Sequence, residues 1–541
     1  MRMMRGESRT REMFRDCRRL LAGPVRSGLL ALSALAAASG AGPALAEPAA
    51  GAAIAANGTP SGAPACASCH GAGGEGNIGA GIPRLAGLPA PYTTSQLTAF
   101  ANGQRDNPLM TPIARTLSRD EAEAVAVYYA ALPGHALPSG APPSAGAGSA
   151  LALEGRWSDG IPACVACHGP DGIGVGADFP PIAGQPASYV TAQLEAWRQG
   201  KRPPGPLGLM EAVARRLTPS DITALAEWVA TLSGGVGPTA PDASAHEGAS
   251  LAPSAPSPVK PGTEAVFQPP PESAIPAGPY GDMVKLGRDI FRDTRANASA
   301  FVGNALRCGN CHLDAGRLAN AAPLWAAWVA FPAYRAKTRE VNTFQERLQG
   351  CFRFSMNGTA PPLGDDVLVA LETYSAWLAR GAPVGADMPG RSYPRLGAPP
   401  SPPDYARGQV VYQQKCALCH GAGGAGQSAP AGTVVFPPLW GPTSYNWGAG
   451  MEMVDTAAAF IKANMPLGLG GTLSDQQAWD VALFLDSHER PQDPRFAGTV
   501  GETRRRFHDS PWSMYGRTVA GRVLGGAAQD ERAGEGTPER H

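Results

Sequence analysis

An all-α fold of four small helical domains is what this sequence predicts, and three observations predict it. The motifs "CASCH" (66–70), "CVACH" (164–168), "CGNCH" (308–312) and "CALCH" (416–420) recur at domain-sized intervals along 541 residues. In three of the four units the methionine 40 to 45 residues downstream of the histidine has the same setting: Met110 after His70, Met210 after His168, Met465 after His420. Each of those methionines precedes an amphipathic stretch opened by a capping box, Ser118 with Glu121, Thr218 with Asp221, and Ser474 with Gln477. Glycine (68 residues) and proline (54) provide loops between the helices without the strict period of collagen.

Taken in order, residues 1–46 read as an export signal. Arginines crowd positions 2 to 26, "SGLLALSALAAASG" is an apolar run, and "ALA" at 44–46 offers a small-residue cleavage site. Arg18-Arg19 leaves both the general and the twin-arginine routes open. The expected location is the periplasm. No later run reaches the ~18 apolar residues that a spanning helix needs, so no membrane span is expected in the mature chain. Lysine plus arginine equals aspartate plus glutamate at 45 each, which removes any electrostatic case for nucleic acid.

C-x-x-C-H is the attachment pattern of c-type haem. Two cysteines three apart on a helical turn reach the porphyrin vinyls, and the next residue turns an imidazole onto the iron. One such motif alone could be a redox or zinc pair; four, each ending in histidine, predict four covalent haem c groups. They would be held by Cys66, Cys69 and His70, by Cys164, Cys167 and His168, by Cys308, Cys311 and His312, and by Cys416, Cys419 and His420. The units are then class I cytochrome c domains at 47–140, 148–232, 279–385 and 400–492, in two dihaem halves. A Pro/Ala-rich linker, 233–278, joins the halves and reads as an extended tether. A shorter Pro-rich joint lies at 384–403, and a C-terminal extension spans 493–541, its first part packed down and its end disordered. Met110, Met210 and Met465 are the expected sixth ligands; the bland alternative is that they fill core gaps. Lys462 is a lesser competitor for the last of these sites.

The first two units repeat one another. "RLAGLPAPYTTSQLTAFANGQR" (84–105) aligns with "PIAGQPASYVTAQLEAWRQGKR" (181–202). Over 60–232 this half resembles the dihaem c4-type cytochromes.

Cys351 has no partner, because eight cysteines hold haem and Cys17 leaves with the signal. An inert buried thiol, a bridge between chains and a reactive iron ligand are the competing readings. A capping box at Thr343 and Glu346 starts a helix near Phe344, on which Arg347, Cys351 and Ser355 share one stripe. A cation one turn away favours thiolate, which is both nucleophile and metal ligand. Upstream, "YRAKTRE" adds Arg335, Lys337 and Arg339, although such a run is commonly a solvated face. Cys351 lies 39 residues after His312 and Met356 lies 44 after it, so both fall in the sixth-ligand window. The stripe favours Cys351, and Met356 stays open; with Met356 as ligand the chain would be a non-catalytic tetrahaem electron carrier.

Residues 279–520 resemble the TsdA family of thiosulfate dehydrogenases. The segments that carry the resemblance are "VGNALRCGNCHLDAGR" (302–317), "FPAYRAKTREVNTFQERLQGCFRFSMNG" (331–358), "AWLARGAPVG" (376–385) and "RRRFHDSPWSMYG" (504–516). The resemblance implies an active-site haem ligated by His312 and Cys351, and substrate roles for Arg347, Ser355 and an upstream basic residue, Arg335 first. It implies oxidation of two thiosulfates to tetrathionate, with electrons passing to the fused c4-like (TsdB-like) half. A further periplasmic or membrane-bound acceptor would follow. The reverse reaction, tetrathionate reduction, is the alternative within the same family.

Overall fold

A computed structural model describes residues 48–134, 146–232, 266–430 and 432–526. The expected signal segment, most of the tether (233–265) and the tail beyond 526 lie outside the described residues. Four helix pairs set the frame. Pro48–Asn57 crosses Arg119–Ala131, Ala147–Leu153 crosses Pro219–Thr231, Pro279–Arg292 crosses Asp366–Leu378, and Tyr405–Lys415 crosses Asp475–Asp486. One glycine makes each crossing possible. A Cβ on Gly51, Gly148, Gly287 or Gly408 would lie 2.1 Å from the carbonyl oxygen of Ala124, Ala224, Ala370 or Asp480. Only a residue without a side chain lets the backbones approach that closely. An aromatic residue, Tyr128, Trp228, Tyr374 or Phe484, flanks the glycine each time.

All three predicted caps behind the methionines form, and so does the one at Thr343: each capping side chain accepts from the backbone N–H three residues on. The expectation of helices alone is too simple. Among the described residues three antiparallel two-stranded hairpins occur, of which Ala333–Arg335 with Glu340–Asn342 matters most, because it carries Arg335.

The predicted tether ends sooner than expected. Phe267 packs on Trp325, Glu272 pairs with Arg288 (3.1 Å) and Arg292 (2.6 Å), and Arg317 donates to the Pro270 carbonyl. The apolar and acidic residues of 266–278 have partners on the third unit, which the composition of the segment did not reveal. Nor is the 384–403 joint a free spacer: Met388 is buried and Tyr393 packs edge-on against Phe460. Beyond 493 the C-terminal extension folds back, with Trp512 against Trp479 and Tyr515 fully buried beside Trp447. Among the described residues no helix is long and apolar enough to cross a membrane.

The two halves also meet directly. Phe179 of the second unit packs on Phe436 of the fourth with ring centroids 4.8 Å apart, in an apolar cluster that includes Cys167 and Cys419. Arg216 donates to the Gly468 carbonyl at 2.9 Å beside it.

Candidate active site

The four attachment motifs share a second feature that sequence spacing could not supply. In each, histidine Nδ1 sits against a backbone carbonyl: His70 on Pro83 (2.9 Å), His168 on Pro180 (2.8 Å), His312 on Ala322 (2.6 Å) and His420 on Pro437 (2.9 Å). That bond fixes the tautomer and ring direction and leaves Nε2 for iron. Beside His168 a cavity of about 510 Å³ is lined by Cys164, Cys167, Met210, Phe179 and Leu225. A flat apolar macrocycle suits it, with histidine and methionine available to one group. Two buried arginines fit the same reading. Arg105 donates to the Tyr189 hydroxyl (3.0 Å) and Gln193 (2.7 Å), and Arg202 reciprocally to the Tyr92 hydroxyl (3.0 Å) and Gln96 (3.1 Å). Neither forms an ion pair with a carboxylate among the described residues, so a propionate would complete the charge balance. The residues present therefore fit haem c. Lys462, the competitor for the last site, is taken: it pairs with Asp475 at 2.9 Å and donates to the Leu473 carbonyl.

Around Cys351 the structure agrees with the sequence in part. Phe344–Gly350 is α-helical, and Arg347 Nη1 donates to Cys351 Sγ at 2.8 Å, one turn on. At Cys351 the helix widens into a π turn, Cys351–Ser355, closed by the Met356 N–H on the Cys351 carbonyl at 3.0 Å. Such turns cluster at functional sites because they re-aim a side chain. Arg347 and Cys351 meet as the stripe requires; Ser355 ends the π turn, and its backbone carbonyl accepts from Asn304 Nδ2 at 2.8 Å. Met356, the rival ligand, is 3% exposed within the apolar core that includes Leu348 and Phe352. Cys351 faces the haem attachment pair: burial raises the Cys308 and Cys311 thiols, and the charge of Cys351 adds to the rise in both. Burial holds His312 down to about 4, and the Arg347 charge contributes.

The hairpin brings Arg335 to the same place, its guanidinium alongside Gly350. Burial lowers its pKa, the like charge of Arg347 lowers it further, and Cys351 opposes them. Lys337, ranked behind Arg335 in the sequence, proves more deeply engaged. Its Nζ lies 4.0 Å from the Phe354 ring centroid and donates to the Gly448 carbonyl. Burial pushes it down to about 7, with Arg495 and Arg347 adding to the fall. Among the described residues none of Arg335, Lys337 and Arg347 forms an ion pair with a carboxylate. The Arg347 charge helps to lower both Arg335 and Lys337, and three basic groups without a carboxylate partner make a site short of negative charge.

Two groups were missed. Asn446 of the fourth unit, buried at 1% exposure, donates Nδ2 to the Arg353 carbonyl (2.9 Å) and to Asn357 Oδ1 (2.9 Å). With Asn304 it satisfies carbonyls that the π turn leaves without helical partners. Their separation in sequence from Cys351 gave no signal. The second group is the buried set around His508. Its Nε2 meets Asp493 (2.9 Å), its Nδ1 meets Glu452 (3.2 Å), and Ser513 donates to Glu452. Asp493 in turn holds Arg495 over Phe354, so the C-terminal extension braces the Cys351 turn from behind.

Burial alone would lower the His508 pKa, but the bonds to Asp493 and Glu452 outweigh it and hold the value above the ordinary one. A raised folded value means stability that is complete below the unfolded pKa of about 6.5 and is lost as pH rises through the folded value. Hydrogen exchange of residues 500–515 is therefore expected to accelerate as pH climbs beyond about 6.5, after correction for intrinsic rates. In His508→Gln that added dependence should vanish; its persistence would assign the effect elsewhere.

The comparisons with known proteins agree with this arrangement. The model "Cytochrome c" matches residues 48–132 and 148–233, and "Cytochrome C oxidase, cbb3-type, subunit III" matches 403–485. A thiosulfate dehydrogenase of Thiomonas intermedia is 61% identical over 264 residues, 49% of this chain and 84% of that protein. A thiosulfate dehydrogenase electron acceptor of the same organism is 49% identical over 170 residues, 31% of this chain and 78% of that protein. The solved thiosulfate dehydrogenase (TsdBA) of Marichromatium purpuratum superposes with a TM-score of 0.79 at 47% identity, covering 88% of this chain and 99% of that one. The chain belongs to the thiosulfate dehydrogenase family, with an electron-acceptor half fused to the enzyme half on one polypeptide.

Proposed function

We propose that the protein is a periplasmic tetrahaem cytochrome, four class I domains in two dihaem halves, that couples two thiosulfates into tetrathionate at Cys351. The observation that carries this reading is the sulfur of Cys351 held by Arg347 at 2.8 Å with Arg335 close by, neither arginine paired with a carboxylate among the described residues. Thiosulfate is a dianion, and bringing two together requires fixed cations to offset their repulsion. Arg347 and Arg335 offer forked donors that match sulfonate oxygens. Ser355 is assigned a supporting contact.

In the first step the Cys351 thiolate bonds to the outer sulfur of one thiosulfate, and the new S–S bond releases two electrons. In the second step the outer sulfur of another thiosulfate attacks that bonded outer sulfur. Tetrathionate leaves and the Cys351 thiolate returns. Charge balances in both steps, and no proton is consumed. Haem would be held by the four motifs, with Met110, Met210 and Met465 as further ligands and with His312 and Cys351 at the third site, and when bound would supply the one-electron acceptors. The apolar contact of Phe179 with Phe436 supports passage from the enzyme half to the acceptor half across a docked interface. A tether that only raises local concentration would not require such packing.

Mixing the holoprotein with thiosulfate and ferricyanide tests the reading: bleaching with tetrathionate as product is expected, and its absence removes the proposal. In Arg335→Ala the KM for thiosulfate should rise about tenfold or more with a smaller change in kcat, since the residue binds charge present in ground and transition states alike. A fall in kcat with KM unchanged would instead place Arg335 in the chemical step.

A further inference from the structure

The repeat in the first half allows one face of the molecule to be read from another. In the second unit the surface around Cys167 is formed by Val175, Phe179 and Leu209, and it is covered by Phe436 and Leu418 of the fourth unit. Val175 is 1% exposed and Phe179 7%. The first unit builds a related surface. Cys69 corresponds to Cys167, Asn77 and Ile82 to the bridged Val175 and Phe179, and Leu109 before Met110 to Leu209 before Met210; Ile78, next to Asn77, stands where the second unit has Gly176. There, nothing covers it among the described residues: Ile78 is 63% exposed, Leu109 is 69% exposed, and Cys69 is exposed. The loop between, "GNIGAGI" (76–82), carries no charge.

Large apolar side chains left bare beside a haem attachment cysteine mark an interaction surface. What covers the related surface elsewhere in this chain is another cytochrome domain, seated by apolar contact with no ion pair between the second and fourth units among the described residues. We propose that the face formed by Cys69, Ile78 and Leu109 is the electron-exit surface. Its partner is an external c-type cytochrome domain with an uncharged, apolar haem edge, seated as the fourth unit seats on the second. One electron crosses per encounter: the first unit is oxidised, the partner is reduced, and no bond is made. This rests on the reading above of the first half as the acceptor end of the chain.

The test uses the full holoprotein, reduced with ascorbate in the absence of thiosulfate, so that failure of docking and failure of thiosulfate chemistry are read separately. The probe is a ¹⁵N-labelled bacterial monohaem cytochrome of the c551 type, and binding is followed by its amide shifts. Shifts confined to the probe's haem edge are expected, with a Kd nearly unchanged between about 50 mM and about 500 mM salt. Ile78→Glu should weaken binding about tenfold or more, and so should Ala80→Glu on the same exposed loop. In the same variants, transfer to this probe relative to transfer to ferricyanide should fall in parallel. Unchanged Kd in both variants would overturn the proposal. So would binding that collapses with salt, or tighter binding of lysine-ringed mitochondrial cytochrome c, because either would show a charged surface to be in use.

Discussion

In Cys351→Ala, thiosulfate-driven reduction of ferricyanide is expected to fall by about 10³-fold or more, the scale on which removing an attacking group acts. The same variant should lose the low-spin thiolate signal in electron paramagnetic resonance while the other haem signals persist. The geometry explains why no neighbour would compensate. The sulfur alone receives the Arg347 donor at 2.8 Å, and Met356 is committed to the core beside Phe352. If the variant gains a histidine–methionine signal at the third site, it should still be inactive, since a thioether cannot form and release the persulfide-type bond that the chemistry needs. Wild-type turnover in Cys351→Ala would make the third unit a carrier like the other three.

Asn446→Ala is expected to lower kcat by about 10²-fold, although Asn446 touches neither thiosulfate nor iron. The side chain crosses from the fourth unit to hold the Arg353 carbonyl and Asn357. Removing it leaves a buried carbonyl without a partner, at a cost of about 1–3 kcal/mol. The turn that aims Cys351 then loses its brace, and misplacement by about 1 Å is enough for a loss of this size. A merely structural role would lower the yield of folded protein and leave each folded molecule normal. A positioning role predicts a broadened or split thiolate signal at full haem content, with Asn446→Gln recovering part of it. A sharp wild-type signal together with lowered kcat would exclude positioning through Asn446.

Much of this molecule was legible because its strongest constraints are local. A haem attachment motif must fit within one helical turn, and a cap binds a donor three residues on; Ser118, Thr218, Thr343 and Ser474 all act where spacing placed them. The pairing of Arg347 with Cys351 belongs to the same class, because i and i+4 meet on any helix. The π turn that follows was not legible, because it depends on which carbonyls find partners elsewhere. The glycines at the helix crossings were visible as letters but not as crossings, since each is defined by a carbonyl 72 to 83 residues away.

By itself the chain's order of residues determined four haem-attachment motifs, the repeat of the first two units and an unpaired cysteine one helical turn from an arginine, all of them features closed within short windows of sequence. Tertiary structure alone decided that a hairpin brings Arg335 alongside Gly350, next to Cys351, and sets Lys337 against Phe354. It also decided that Asn446 clamps the turn from a neighbouring unit, and that Phe179 meets Phe436 to join the halves. The division has one cause: contacts between distant segments depend on how whole domains bury their apolar faces against one another, and no short window of sequence contains both partners.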